Sequence, residues 1–454
     1  LGLEVVRRAV DSGGLYPSRG AREFEVARLL TETVEDELRR LRSTLRGPAS
    51  REPRDVRARV RADFHAGHRE LESWSAVYHL YVRPDLNIGL DDLEELLGDR
   101  HRRTLQRRLQ EGVTALAMRL QSLETRAAVE ARRERLRSQL PVTLGVTVVA
   151  RDAVTSALRR MIADDCSAMP IAIGGTGGVG KSAVVRHVVS QMIEDDLQGV
   201  IWLPAGEALA HESMAQAIGR SLDEGDDRRA GAFWARSSRN LLVVDGVDGQ
   251  ADAERVLRRI ETLRSRCRVV MTGRLMWSGL REVRPVLLRP LPPHAATQLL
   301  RSHALERGLP DVARADDEVL APVVEATGGL PAALCLAVAQ LRASDVGAVV
   351  SDFIACDEAV RRLCRDLWHD AWEQTTDEGR QVLLAVIEAR RRGLRSDAQR
   401  IADIAGMDTG DVLHPLRDLA DRCLLDAMGD VSDRLYRPWP FLRRYLQTLR
   451  ASAS

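Results

Sequence analysis

One segment, Ile171-Ala-Ile-Gly-Gly-Thr-Gly-Gly-Val-Gly-Lys-Ser182, limits what this chain can fold into more than any other. A short apolar run of strand character leads into a glycine-rich turn, and a helical pattern, Ala183–Ile193, follows at once. Gly175, Gly180, Lys181 and Ser182 satisfy G-x-x-x-x-G-K-[ST] in the strand–loop–helix context the motif requires. Glycine lets such a loop wrap with its backbone N–H groups aimed inward at phosphate oxygens, and the following helix adds the positive end of its dipole. The groups placed to hold phosphates are Gly175, Gly177, Gly178, Val179, Gly180, Lys181, Ser182 and Ala183. Lys181 supplies a compact ammonium where a planar guanidinium fits poorly. Ser182 offers a hydroxyl to Mg²⁺. A glycine turn without a ligand is the competing reading, and the flanks count against it.

The basic residues sharpen this point. Of 67 lysines and arginines, Lys181 is the only lysine. Arginine has replaced lysine everywhere else, a bias of composition rather than function, so the exception is informative. Otherwise composition excludes little. The 454 residues exceed one ordinary core and imply two to four domains. A hydrophobic share of 44%, a charged share of 29% and a net charge of +1 suit a globular protein without a wholesale nucleic-acid coat. No apolar run approaches the roughly 20 residues a membrane helix needs. No signal peptide is visible, and six scattered cysteines without a C-x-x-C pair suit a reducing, cytoplasmic setting.

A second acidic strand should accompany the loop. Arg239-Asn-Leu-Leu-Val-Val-Asp245 reads as a buried strand whose terminal carboxylate sits beside the phosphates, where Asp245 can hold Mg²⁺ through water. Asp248 either orients an attacking water or caps a helix beginning near Ala251. A further strand, Arg268-Val-Val-Met-Thr-Gly-Arg274, ends in an arginine able to sense a γ-phosphate. Lys181, Asp245, Asp248 and Arg274 are thus the candidate catalytic residues, with Ser182 and Asp245 as metal ligands.

In this order the motifs resemble the NB-ARC branch of the STAND ATPases, from about Val148 onward. Val149-Ala-Arg-Asp152 is similar to the family's G-R-[DE] segment that packs on adenine, with Ala150 in place of the glycine and Arg151 as the contact. Leu287–Leu300 resembles a strand leading into a short helix. Gly328-Gly-Leu-Pro-Ala-Ala-Leu334 is close to G-L-P-L-A-L, in which the proline, here Pro331, contacts the base. The resemblance implies ATP or ADP with Mg²⁺ as cofactors. It also implies a multidomain α/β plus all-α fold: a P-loop parallel-sheet domain at 141–285, a helical subdomain at 286–372, and a winged helix at 373–454. That last domain would pair a helix–turn–helix over Ala398–Cys423 with two strands around Gly429-Asp430. The departures are specific. Gly246 stands where the family carries a second acid, implying slow or lost hydrolysis, hence at most a weak ATPase. If Leu435–Tyr445 aligns with the family's Met-His-Asp segment, Trp439 and Pro440 replace the histidine and aspartate, so the usual latch on ADP is missing.

Residues 1–140 read as a separate helical domain. Glu23–Leu45 is amphipathic with i,i+4 charge pairs. Gly47–Arg61 reads as a hinge, and Leu123–Leu140 as a helical linker. Between them, about 88–110, lies a helix–turn–helix pattern in which Leu105 and Leu109 pack inward and Arg102, Arg103, Arg107 and Arg108 share an exposed face. Such a face suits a DNA major groove. A solvated or protein-docking face is the other reading, since charges over the first 140 residues nearly balance. His65, His68 and His79 lack the cysteines or acids of a metal site, and Trp74, Trp368 and Trp372 read as packing.

The leading expectation is an ATP/ADP-dependent switch controlling conformation and self-association, in bacterial signalling, regulation or antiphage defence, with output through the N-terminal domain or a protein effector. The alternatives are a nucleotide-gated DNA-binding regulator and an ATPase that assembles on nucleic acid. The sequence is silent about the trigger: no repeat array of the kind that senses ligands in this family is seen before Ser454.

Overall fold

The computed structural model describes residues 19–46, 55–97, 102–141, 148–164, 169–195, 197–222, 228–263, 266–275, 277, 280–430, 433–439, 442 and 445–446. The chain divides into two compact units, 1–135 and 136–454.

The first unit is helical: α1 (Arg19–Arg46), α2 (Val56–His65), α3 (Arg69–Val77), α4 (Leu90–Leu97) and α5 (Arg102–Ser138), with a π-helical turn at Tyr78–Val82. Its apolar residues fall at helical spacing. Val34, Leu38 and Leu41 of α1 pack on Leu71, Trp74 and Val77 of α3, while Val60, Phe64, Leu93 and Leu105 form a second cluster. Leu109 borders both, so the expected inward pair holds.

Three expectations fail here. The segment read as a short helix and the one read as a separate linker are a single 37-residue helix, α5. Gly112 does not break it, because the glycine is there for proximity: a Cβ would lie 2.5 Å from the Ser73 carbonyl oxygen and 2.7 Å from Val77. The four-arginine exposed face does not form either. Arg108 is buried, donating to Glu72 at 2.7 Å and to Glu111 at 2.9 Å, since a guanidinium inside a helical bundle needs carboxylate partners. Arg102 bonds Asp91 at 2.8 Å, and Arg107 lies 3.9 Å from Glu111; among the described residues, Arg103 is the one of the four that is exposed without an ion pair. The turn at 98–101 lies outside the described residues, as do residues 47–54 of the expected hinge; the rest of that segment is not a hinge, because Asp55 caps α2 and residues 56–61 are helical. A second buried network centres on Asp63, which accepts from Arg42 at 2.7 and 3.1 Å and from Ser75 at 2.8 Å. His79, 2% exposed, bonds the Ser75 carbonyl at 2.8 Å.

The second unit opens with α6 (Asp152–Ala163) and a five-stranded parallel sheet: β1 (Ile171–Gly174), β2 (Gly199–Pro204), β3 (Asn240–Asp245), β4 (Arg268–Thr272) and β5 (Arg284–Leu287), in the order β2-β3-β4-β1-β5. The connections carry α7 (Lys181–Asp195), α8 (Ala205–Ala210), α9 (Met214–Ser221), α10 (Arg228–Trp234) and α11 (Gln250–Leu263). Helices cover both faces, which is why β3 reads as an unbroken apolar run rather than an alternating one. Leu241 and Val243 face one core and Leu242 and Val244 the other.

A helical block follows: α12 (Pro293–Glu306), α13 (Pro310–Arg314), α14 (Asp317–Thr327), α15 (Pro331–Gln340), α16 (Val346–Ala355) and α17 (Glu358–Glu373). The C-terminal elements are α18 (Asp377–Arg391), α19 (Ala398–Ala405), α20 (Thr409–Asp421) and an antiparallel ribbon of β6 (Leu425–Met428) and β7 (Leu435–Pro438). Helix starts are set by side-chain caps: Thr376 accepts from the Gly379 N–H and Asp397 from that of Arg400. Among the described residues no helix is long and apolar enough to cross a membrane.

Candidate functional site

Parallel pairing brings the C-terminal ends of β1, β3 and β4 to one edge, because Ile173 lies beside Thr272 and Val244 beside Met271. Ligands of open parallel sheets bind at that edge, where strand order reverses. The loop from β1 to α7 crosses it with left-handed or otherwise positive φ at Gly175, Gly178 and Gly180 (+144°, +73° and +96°), conformations a side chain rarely allows. Gly177 is needed for space: a Cβ there would stand 2.8 Å from the Leu367 carbonyl oxygen.

Lys181 opens α7 and turns its ammonium back into the loop, donating to the carbonyl oxygens of Gly175 at 2.8 Å and Thr176 at 3.0 Å. Burial pushes its pKa below the ordinary lysine value, against the nearby Asp248 and Asp245 carboxylates. Ser182 donates to Asp245 Oδ1 at 2.7 Å. Asp245 also accepts from Thr272 Oγ1 and, at 3.3 Å, from the Trp202 indole N–H. A hydroxyl and a carboxylate side by side are the hard oxygen donors Mg²⁺ takes. The residues therefore fit the ion, and Ser182 and Asp245 could hold it.

Asp248 corrects one reading. Its carboxylate does not cap α11 but takes Arg274, accepting from the backbone N–H at 2.9 Å and from Nε at 2.8 Å. Arg274 goes on to donate to the Leu367 carbonyl at 2.9 Å and to Asp370 at 3.3 Å. Burial works against its charge, yet these acidic partners hold its pKa above the usual value. Gly246, at φ +83°, donates its N–H to Thr272. Arg151 donates to the Arg289 carbonyl at 2.6 Å and lies 3.5 Å from that of Val179. Burial lowers its pKa. Ala150 before it keeps φ +51°, the conformation of a glycine. Pro331 is the first residue of α15, and the next N–H, of Ala332, donates to the Gly178 carbonyl at 3.1 Å. Val179 is buried beneath the loop and Ala183 lies half-buried on the first turn of α7.

Trp439 does not stand in for a phosphate-facing histidine. Its indole donates to the Cys423 carbonyl at 2.6 Å. Pro440 lies outside the described residues. Cys423 is the residue of the C-terminal elements that meets the loop: burial pushes its thiol up to about 12, while the Lys181 ammonium and the Gly175 N–H pull the other way. Sequence reasoning missed Thr176, Trp202, Thr272, Trp368 and Cys423. For the tryptophans a signal existed, since a buried indole N–H needs a partner. Trp368, 1% exposed, finds Thr176 Oγ1 at 3.0 Å.

The parallel sheet, the glycine loop with its lysine, and the Ser182–Asp245 pair define a P-loop nucleotide-binding domain. More specifically, residues 151–279 match the NB-ARC domain model, and this part of the chain is an NB-ARC-type P-loop nucleotide-binding domain. No curated protein matches the chain. Among solved structures, Drosophila ORC bound to DNA is similar at 14% identity and TM-score 0.35, over 70% of this chain and 92% of that one. The STAND protein with a tetratricopeptide repeat sensor from Pyrococcus horikoshii gives 14% and 0.29, over 68% of this chain and 44% of that one. RuvB of Thermotoga maritima gives 12% and 0.35, over 66% and 95%. The family assignment rests on the NB-ARC match and the site, and these distant likenesses add nothing to it.

Proposed function

We propose that this protein is an ATP/ADP-dependent switch in which bound nucleotide sets how the C-terminal elements sit on the P-loop domain, and through them whether the protein self-associates. The observation that carries the reading is the meeting of Lys181, the Ser182–Asp245 pair and Arg274 at one sheet edge, with Leu367, Trp368, Asp370 and Cys423 of later elements lying directly on them. A ligand at that edge contacts groups whose arrangement differs with the position of those elements, and such differential contact is what a switch requires.

The loop N–H groups and Lys181 would hold the phosphates, and Arg151 and Pro331 would border the base. Mg²⁺, held by Ser182 and Asp245, would neutralise phosphate charge. With Gly246 in place of a second acid and Asp248 tied to Arg274, hydrolysis would be slow. Residues 377–438, three helices and a ribbon, would act as the winged helix, folding over nucleotide rather than reading DNA. The burial of Arg108 weighs against a DNA-reading N-terminal helix. A cytoplasmic role in bacterial signalling or antiphage defence, with a protein partner as trigger, is the setting this reading suggests.

The test is to measure nucleotide binding, turnover and size in solution with ATP, ADP and neither, for wild type and Lys181→Ala. We expect wild type to bind both nucleotides, to turn over ATP slowly and to change size between them, and Lys181→Ala to lose binding. Size unaffected by a bound nucleotide would reject the switch.

A further inference from the structure

Helix α17 belongs to the helical block, yet one turn of it engages two separate parts of the nucleotide site. Trp368 sends its indole N–H to Thr176 Oγ1, in the middle of the phosphate loop, at 3.0 Å. Leu367 offers its carbonyl to Arg274 Nη1 at 2.9 Å, and Asp370, one turn on, accepts from Arg274 Nη2 at 3.3 Å. The packing is equally close. Added Cβ atoms at Gly177 and Gly178 would stand 2.8 Å from the Leu367 carbonyl oxygen and 3.0 Å from its side chain.

These contacts differ in character. Trp368 is buried, and an indole N–H at such a site fixes the rotamer of its partner as well as its own position. The Arg274 contacts are charge-assisted and partly open to solvent, with Asp370 69% exposed. A cavity of about 130 Å³ adjoins them, lined among others by Asp248, Asp252, Asp370, Gln374 and Arg422. Arg274 thus holds Asp248 through both its backbone N–H and its side chain, and α17 through one carbonyl and one solvent-exposed carboxylate.

We infer that the 367–370 turn of α17 is a positioning element of the nucleotide site: Trp368 sets the phosphate loop through Thr176, and Asp370 with the Leu367 carbonyl competes with nucleotide for Arg274. This rests on reading the site as a nucleotide switch with Arg274 as its γ-phosphate sensor. An added γ-phosphate must draw Arg274 from α17, whereas a diphosphate leaves the arginine where it is. The turn therefore sets the preference between ADP and ATP, and its release is the step that passes the distinction to the helical block.

The test uses the full chain and fluorescent ADP and ATP analogues, with melting temperature as a check on folding. Asp370→Asn should raise affinity for the triphosphate by up to about fivefold relative to the diphosphate, the upper end for a solvent-exposed ion pair, with diphosphate affinity unchanged. Trp368→Phe should weaken both by a similar factor, and Thr176→Val should do the same from the other side. Their double variant should be no worse than either alone, since one contact is lost once. If Trp368→Phe fails to fold, Thr176→Val and Asp370→Asn still decide the matter. Wild-type nucleotide preference in Asp370→Asn, or additive losses in the double variant, would show that α17 merely packs here. Failure of wild type to bind either analogue would overturn the switch reading itself, and this inference with it.

Discussion

At the scale of single residues, Ala150 shows a backbone demand outlasting the residue that suits it. The family pattern places glycine there, and the alanine retains φ +51°. A left-handed conformation costs a non-glycine residue about 1 kcal/mol. Ala150→Gly should raise the melting temperature, with a gain of up to about 1 kcal/mol after the extra entropy glycine loses on folding; a lower melting temperature would mean that the methyl group packs. Lys181 is the opposite case, because the motif alone made its identity legible. What the motif could not show is that the ammonium lies on the Gly175 and Thr176 carbonyls, with burial lowering its pKa.

At the scale of elements, the N-terminal unit illustrates how charge counting misleads. A run of arginines reads as an exposed face until the neighbouring helix supplies carboxylates. Glu72 on α3 takes Arg108 inward, and Asp63 on α2 does the same for Arg42 of α1. Removing one member of a buried pair strands the other, so Asp63→Ala should destabilise this unit by about 3 kcal/mol in denaturant unfolding. Gly112→Ala should also destabilise it, by about 1–3 kcal/mol, because α3 stands where the methyl would go. The unit should also weaken in acid. Burial lowers the pKa of His79 below its ordinary 6.5, so below that pH the unfolded chain binds a proton the folded one refuses. Stability contributed by the neutral ring is present above about pH 6.5 and falls as pH drops toward the lowered folded value. Melting curves between pH 5.5 and 7.5 should show this, and His79→Gln should flatten the slope.

For the whole molecule, the second unit is joined by contacts that no local pattern specifies. Cys423, 241 residues beyond Ser182 in sequence, lies against the phosphate loop, and Trp439 fixes its carbonyl at 2.6 Å. Buried and with its thiol pushed up to about 12, Cys423 should react with iodoacetamide at least about tenfold more slowly than in the unfolded chain at pH 8. Trp439→Phe should speed that labelling, followed by peptide mass spectrometry. Equal rates in variant and wild type would show that the indole does not hold the cysteine against the loop.

Sequence alone determined the P-loop domain, since the glycine loop, the lysine and the apolar strands are local patterns whose period and φ demands admit few folds. The helical character of 286–372 was legible only through the family resemblance, which did not mark out the separate helices α12 to α17. Sequence did not reveal that α5 runs unbroken through Gly112, that Arg108 is buried, or that Asp248 holds Arg274 instead of capping α11. Nor did it show which residues of α17 and the C-terminal elements touch the phosphate loop. Those depend on which side chains meet across long sequence separations, and a hydrogen bond such as Trp368 to Thr176 leaves no trace in the local pattern at either end. Tertiary structure decided them, because a buried polar group takes whatever partner the fold brings within reach.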